Sequence, residues 1–244
     1  MPDPHDPTDY DPRSLEALQP LRRYHAWIRA GFGDRLRGRV LEVGAGTGTF
    51  AETWIDAADE AWLLEPAGQP RAALTRRFGG CPRVHVLPGT LAEARGVIDA
   101  RSLDAVVMVN VLEHLHDDVL ALTLARGLLG PAGSLALFVP ALPALYGSLD
   151  ALVGHQRRYT PATLRKAVTS AGFTVQTLRW FDLAGVVPWW VVGRVIRARS
   201  FDGPLGPLYD RWVVPWARAI ESRVAPPLGK NLLCIARPNA PGAP

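Results

Sequence analysis

The chain has little cysteine, no long apolar run and no clustered charge of one sign, and each absence removes a class of protein. Two cysteines, Cys81 and Cys234, stand far apart in 244 residues and fit no metal-ligand spacing. That excludes a disulfide framework and a cysteine zinc site, and it points to a reducing, cytoplasmic setting. The most apolar segment, LAGVVPWWVVGRVI (183–196), holds a proline and an arginine. It is too short to span a membrane, for which about 20 residues are required. The N-terminal MPDPHDPTDYDP has no basic stretch followed by an apolar one, so residues 1–12 are expected to be a flexible lead-in, not a secretion signal. Lys plus Arg exceed Asp plus Glu by 27 to 23. This surplus is scattered, whereas nucleic-acid binding requires a basic face, so no nucleic-acid partner is expected. No internal repeat or low-complexity block occurs.

What remains is an ordinary globular composition, 48% hydrophobic and 20% charged, of a length suited to one domain. A helix is expected over Ser14 to Ala30, with Pro20 starting its second part or kinking it. Short β-rich runs then alternate with helical stretches. RVLEV (39–43), AWLLE (61–65), RVHVL (83–87), LDAVVMVN (103–110) and SLALFV (134–139) read as strands. Helices are expected near 49–58, 68–78 and 117–129, and over 161–173 with Gly172 as its C-cap. Strands near 174–180 and at LLCIA (232–236) complete the pattern. Apolar strands separated by helices indicate a doubly wound α/β fold, its mostly parallel sheet covered on both faces. Residues 180–216 break the alternation, with five of the eight tryptophans interleaved with Arg194, Arg197, Arg199 and Arg211. That is too long for a hairpin and reads as an insertion over one end of the sheet. The expected division is a helical cap (13–37), a core (38–180), an insertion (181–227) and a last strand with its tail (228–244).

In an open α/β sheet, ligands bind beyond the carboxyl ends of the strands. The turn after the first strand, Gly44-Ala45-Gly46-Thr47-Gly48, stands there. A dinucleotide site uses G-x-G-x-x-G, and here the third glycine arrives one residue early. Glu42 just before the turn would oppose a pyrophosphate but suits a cofactor that carries positive charge, such as S-adenosylmethionine with its sulfonium and ammonium groups. Glu65, at the end of the second strand, is able to accept both ribose hydroxyls of either cofactor.

LEVGAGTG, LLEP, LDAVVMVNVLEHLHDD and LLGPAGSLALFVP resemble the ordered motifs of class I S-adenosylmethionine-dependent methyltransferases. GHQRRYTPATLRKAVTSAGF is similar to a bacterial small-molecule subgroup of them. The resemblance implies a Rossmann-like, seven-stranded sheet with one antiparallel strand near the C-terminus. It implies that Glu42, Gly44, Ala45, Gly46 and Gly48 surround the methionine part of the cofactor, that Glu65 holds the ribose and that Pro66 lies beside the adenine. Asn110 would offer its carbonyl to the ammonium group, with Val111 and Leu112 lining the site. The acid common after the third strand is replaced by LPGTL, which leaves Thr90 and Leu91 for the adenine end. Tyr24 and Trp27 either cover the cofactor or pack their helix. Glu113 and His114 resemble a pair that binds a divalent metal in ubiquinone-type O-methyltransferases, but Asn110 stands where those have an acid, so no metal is expected.

Methyl transfer requires alignment of the acceptor and exclusion of water, with a base only where the acceptor must lose a proton. His155, Tyr159, Arg158 and Glu113 are the catalytic candidates, with His155 as base or orienting group. Arg157 and Arg158 are candidates to clamp an anionic acceptor. The insertion is expected to form a lid over a small hydrophobic acceptor, phenolic, isoprenoid or lipid-linked. It is also a candidate membrane-surface patch, although most of its tryptophans are expected to pack onto the sheet. A nicotinamide-dependent oxidoreductase, a nucleic-acid methyltransferase and a non-catalytic binding module stay as alternatives, and the oligomeric state is open.

Overall fold

The structure is a computed structural model that describes residues 21–198, 200 and 204–240. The expected lead-in and the first part of the expected N-terminal helix, with Pro20, lie outside the described residues. In chain order the elements are α1 (Arg22–Phe32), β1 (Gly38–Val43), β2 (Ala58–Leu64), α2 (Gly68–Phe78), β3 (Val84–Leu87), α3 (Leu91–Ala94), β4 (Leu103–Val109), α4 (Asp118–Leu128) and β5 (Leu129–Pro140). Then follow α5 (Ser148–Leu152), α6 (Pro161–Ser170), β6 (Phe173–Phe181), α7 (Val186–Trp190), α8 (Leu205–Leu208), α9 (Val214–Glu221) and β7 (Asn231–Pro238). The seven strands form one sheet in the order β3-β2-β1-β4-β5-β7-β6. Only β7 runs against its neighbours, so β1 to β6 all end at the same edge and β7 begins there. This is the Rossmann-like, doubly wound fold that the sequence indicates.

Two apolar layers follow from the two-residue period of the strands. Leu41, Val106, Met108, Leu135 and Leu137 face Leu122 and Leu128 of α4 and Leu164 and Val168 of α6. Val40, Ala105, Val107, Ala136 and Phe138 face Trp27, Ile28 and Phe32 of α1 and Val214 of α9. Both faces of the central strands are covered, which is why their sequences read as unbroken apolar runs.

One expected element is absent. In place of a helix over 49–58, two 3-10 turns, Ala51–Thr53 and Ile55–Ala57, lead straight into β2. Trp54, between them at φ −132°, leaves helical geometry to bury its indole and hydrogen-bond Glu42. Tertiary demand here overrides local propensity. Helix α6 ends at Ser170, with Gly172 beyond it at φ +82°, and the Gly172 N–H donates to the Thr169 carbonyl (3.0 Å). Helix α1 has no cap of its own, but Asp210 accepts from the Tyr24 and Arg23 amides at 2.8 and 3.2 Å. A remote carboxylate thus satisfies two orphan donors and complements the helix dipole. Asp210→Ala is expected to lower the unfolding free energy by about 1–2 kcal/mol. In urea this shows as a lower midpoint at unchanged slope, and an unchanged midpoint would contradict the capping role.

Candidate functional site

The carboxyl edge of the sheet carries the turns that local sterics disfavour. Three non-glycine residues adopt left-handed backbone just past strand ends, Asn110 after β4 (φ 53°), Leu142 after β5 (φ 57°) and Asp182 after β6 (φ 65°). Such strain is held only where surrounding contacts over-determine it. After β1, Gly44, Gly46 and Gly48 have φ of 67°, 55° and 83°. A Cβ on Gly44 would stand 2.6 Å from Val111 Cγ2, and one on Gly48 would meet Phe78 and Leu74 of α2 at 2.4 and 2.8 Å. The first glycine thus lets the 110–112 loop close on the turn, and the third serves helix packing.

Glu65 ties the turn to the end of β2. Its carboxylate accepts from the Gly46 amide at 2.8 Å and from the Ala67 amide at 2.9 Å, and each oxygen keeps a further lone pair. Glu42 is buried and accepts from Trp54 Nε1 at 2.8 Å. Burial pushes its carboxyl up to about 8, although the Trp54 hydrogen bond opposes this. The turn therefore rests against a mostly neutral acid at pH 7 that would ionise beside a cation. At the end of β3, Thr90 caps α3 in a capping box, giving its amide and hydroxyl to Glu93 at 2.6 and 3.0 Å. Pro66 offers its carbonyl to Arg71 (2.6 Å).

A second polar group stands past β4 and β5. The 155–159 segment is stitched to 112–118, because the Gln156 amide donates to the Glu113 carbonyl (2.8 Å) and the Tyr159 hydroxyl donates to Asp118 (2.9 Å). This brings His155 Nε2 to 3.6 Å from Glu113 Oε1, while the His114 and His155 rings meet edge to face with centroids 4.8 Å apart. Asp150 organises the group, accepting from His155 Nδ1 (2.8 Å), Arg158 Nε (2.7 Å) and the Gly147 amide (3.0 Å). Burial would raise the Asp150 carboxyl, but His155 and Arg158 outweigh it and hold it below the usual carboxylate range. Burial pushes Glu113 up to about 7, partly offset by His155, and drives His114 down to about 4.

The insertion is fastened over this edge. Arg158 and Lys230 both stand over the Trp189 ring, at 5.1 and 5.2 Å from its centroid. Ser148 Oγ donates to the Gly193 and Ala198 carbonyls at 3.1 and 2.7 Å, and Tyr209 hydrogen-bonds Asp182. Trp189 is half-buried, but Trp190, Trp212 and Trp216 are exposed, Trp216 at 72%. The expectation that most tryptophans here pack onto the sheet is thus corrected. Val187, Ile196, Leu205 and Ile220 are exposed on the same segment.

A family model described as a methyltransferase domain matches residues 16–178, more than half of the chain. A probable S-adenosylmethionine-dependent methyltransferase of Mycolicibacterium smegmatis is 30% identical over 168 residues, covering 67% of this chain and 63% of that protein. The chain belongs to the S-adenosylmethionine-dependent methyltransferase family. It spans 63% of the length of that relative. The fold is shared with the methyltransferase solved in complex with the Trm112 activator of Haloferax volcanii (TM-score 0.65, 14% identity, 94% of this chain and 95% of that one). It is also shared with the mitomycin 7-O-methyltransferase MmcR (TM-score 0.56, 16% identity, 88% of this chain and 53% of that one).

The residues present fit the cofactor of this methyltransferase family. The left-handed turn gives close backbone approach, a buried acid stands ready for a cationic group, and Glu65 retains acceptor capacity. Of the two readings of Tyr24, packing is what the structure displays: its ring lies against Trp27, Phe138 and Phe181, and its hydroxyl donates to Asp182 (3.0 Å) or Asn231 (3.1 Å). Arg158 is buried on Asp150 and on the Ala141 carbonyl, and the buried Tyr159 donates to Asp118. Arg157 pairs with Asp118 at 3.2 Å. Sequence reasoning misses Asp150 and Trp54; a lone acid inside the apolar SLDAL is the only signal that marks the first.

The sign of the Glu42 effect on folding follows from its raised pKa. The folded state holds a proton that the unfolded chain releases above its ordinary value of 4.5, so this contribution is full below 4.5 and is lost as pH rises through about 8. Glu42→Gln is expected to lose less stability than the native chain between pH 5 and 9 in urea unfolding. Parallel losses in the two proteins would contradict a buried neutral acid.

Proposed function

We propose that this methyltransferase transfers the methyl group to a small, hydrophobic acceptor that bears an ionisable hydroxyl. In this reading Glu42, Gly44, Ala45 and Gly46 hold the methionine end of the cofactor, with Gly48 supporting the turn. Asn110, Val111 and Leu112 line its sulfonium side, Glu65 and Pro66 the ribose, and Thr90 and Leu91 the adenine. Bound there, S-adenosylmethionine supplies a methyl group already activated by its positive sulfur. The chain's own part is to seat the acceptor and exclude water.

One observation carries the acceptor assignment. The buried Glu113 and the half-buried His114 and His155 form one polar group just past the 110–112 loop, on the segment whose Arg158 stands over Trp189 of the insertion. Asp150 accepts a hydrogen bond from Nδ1–H of His155, which leaves the Nε2 lone pair toward Glu113 to meet either a proton or a cation. An acceptor hydroxyl brought here would have a polar partner inside apolar walls. The exposed Trp190, Trp212 and Trp216, beside exposed Arg194, Arg197, Arg211 and Arg218, support delivery of that acceptor from a membrane surface. Among the described residues no helix is long and apolar enough to cross a membrane.

The test is calorimetric titration with S-adenosylmethionine, its demethylated product and NAD in parallel. Binding of the first two is expected, with release of about one proton at pH 7 as Glu42 ionises. Gly46→Arg is expected to abolish it, and His155→Asn to leave it within about threefold while transfer falls by about 10²-fold or more. Anionic vesicles should blue-shift the tryptophan emission. Binding of NAD alone would overturn the cofactor site, and unshifted emission would remove the membrane surface.

A further inference from the structure

We propose that Glu113, His114 and His155 together hold a divalent transition-metal cation of the zinc class beside the acceptor position, an inference that rests on the reading of the acceptor site above. One ligand atom from each residue lies within 4.8 Å of the other two. The Glu113 Oε1 to His155 Nε2 separation is 3.6 Å. Two ligands of one tetrahedral zinc stand about 3.3 Å apart when each bond is about 2.0–2.1 Å. The Glu113–His155 pair is close to that spacing, and the wider separations in the group, up to 4.8 Å, would close on binding.

A second, independent observation points to a bound cation. The Glu113 side chain is fully buried, and neither carboxylate oxygen has a hydrogen-bond partner. A buried acceptor pair left this way is rare and requires an explanation. A cation supplies one, because it gives both oxygens a counter-charge.

The surroundings match those of metal-binding histidines, whose second nitrogen is fixed by a carboxylate or carbonyl. Asp150 fixes Nδ1 of His155 at 2.8 Å, and His114 hydrogen-bonds the Gly154 carbonyl. The ligands come from two segments already joined by the Gln156-to-Glu113 backbone hydrogen bond. Two imidazoles and one carboxylate favour zinc or a neighbouring first-row ion over magnesium or calcium, which prefer all-oxygen sites. Three protein ligands leave a fourth position open, the arrangement of a catalytic rather than a structural zinc. An acceptor hydroxyl would occupy it and, its acidity raised by the cation, release its proton to water to leave the oxygen as the nucleophile.

The experiment strips the full chain with chelator and titrates it with cobalt(II), with zinc as competitor. The visible absorption of tetrahedral cobalt is the readout, and S-adenosylmethionine binding is measured in the same samples. One equivalent of cobalt is expected, displaced by zinc. Glu113→Gln and His155→Asn should each weaken binding by about 100-fold or more, and Asp150→Asn by about 10- to 100-fold. Should a variant fail to fold, saturating zinc must still raise the Tm of the unaltered chain. A chain that binds S-adenosylmethionine but no cobalt overturns the metal site alone. Cobalt binding without S-adenosylmethionine supports the metal and overturns the cofactor reading. Equal cobalt affinity in the Glu113 and His155 variants overturns the ligand set.

Discussion

The carboxylate of Asp150 is the contact on which the site depends. It is fully buried and ionised, and its two oxygens gather a ring nitrogen of His155, the Arg158 guanidinium and the amide of Gly147. Breaking a buried ion pair by removing one partner costs about 3–5 kcal/mol, since the other charge is left uncompensated. Arg158 in turn holds the Ala141 carbonyl past β5 and stands over Trp189 of the insertion. Gly147 lies so close to Gly193 that a Cβ would fall 2.7 Å from its carbonyl oxygen. One charge thereby fixes the histidine, the strand exit and the cover together.

A second buried acid does the same at the neighbouring strand end. Asp182 receives Tyr24, Tyr209, Lys230 and the Gly185 amide, and Glu221 accepts from the Asp182 and Leu183 amides. Burial, and then the charge of Asp182, holds the Tyr24 and Tyr209 hydroxyls far above their ordinary pKa, so both are donors at any working pH. Helix α1 and the insertion are in this way locked to β6 and β7. The division of labour is physical: Asp182 holds helix α1 and the insertion, and Asp150 holds His155 and Arg158.

The parts of the fold written in local pattern are legible in the amino-acid sequence alone. The apolar strands, the glycine turn and Gly172 beyond α6 act within a few residues of themselves, so spacing reveals them. Contacts across the chain leave no local trace. Trp54 abandons a helix to reach Glu42, Asp210 caps a helix 186 residues away from it, and the arginines of GHQRRY turn inward to Asp150 and Asp118. The Thr90 cap is local again, since its partner Glu93 stands in plain T-x-x-E spacing. The tryptophans mislead because composition cannot tell an apolar face turned inward from one turned out.

The most direct test of the account is a structure of the chain with the demethylated product, S-adenosylhomocysteine. The account predicts its amino-acid end against Gly44, Gly46 and Glu42, its ribose on Glu65, and its sulfur toward the side of the site where His155 and Glu113 stand. A product seated at another edge of the sheet, or with its sulfur turned away from His155, would contradict it.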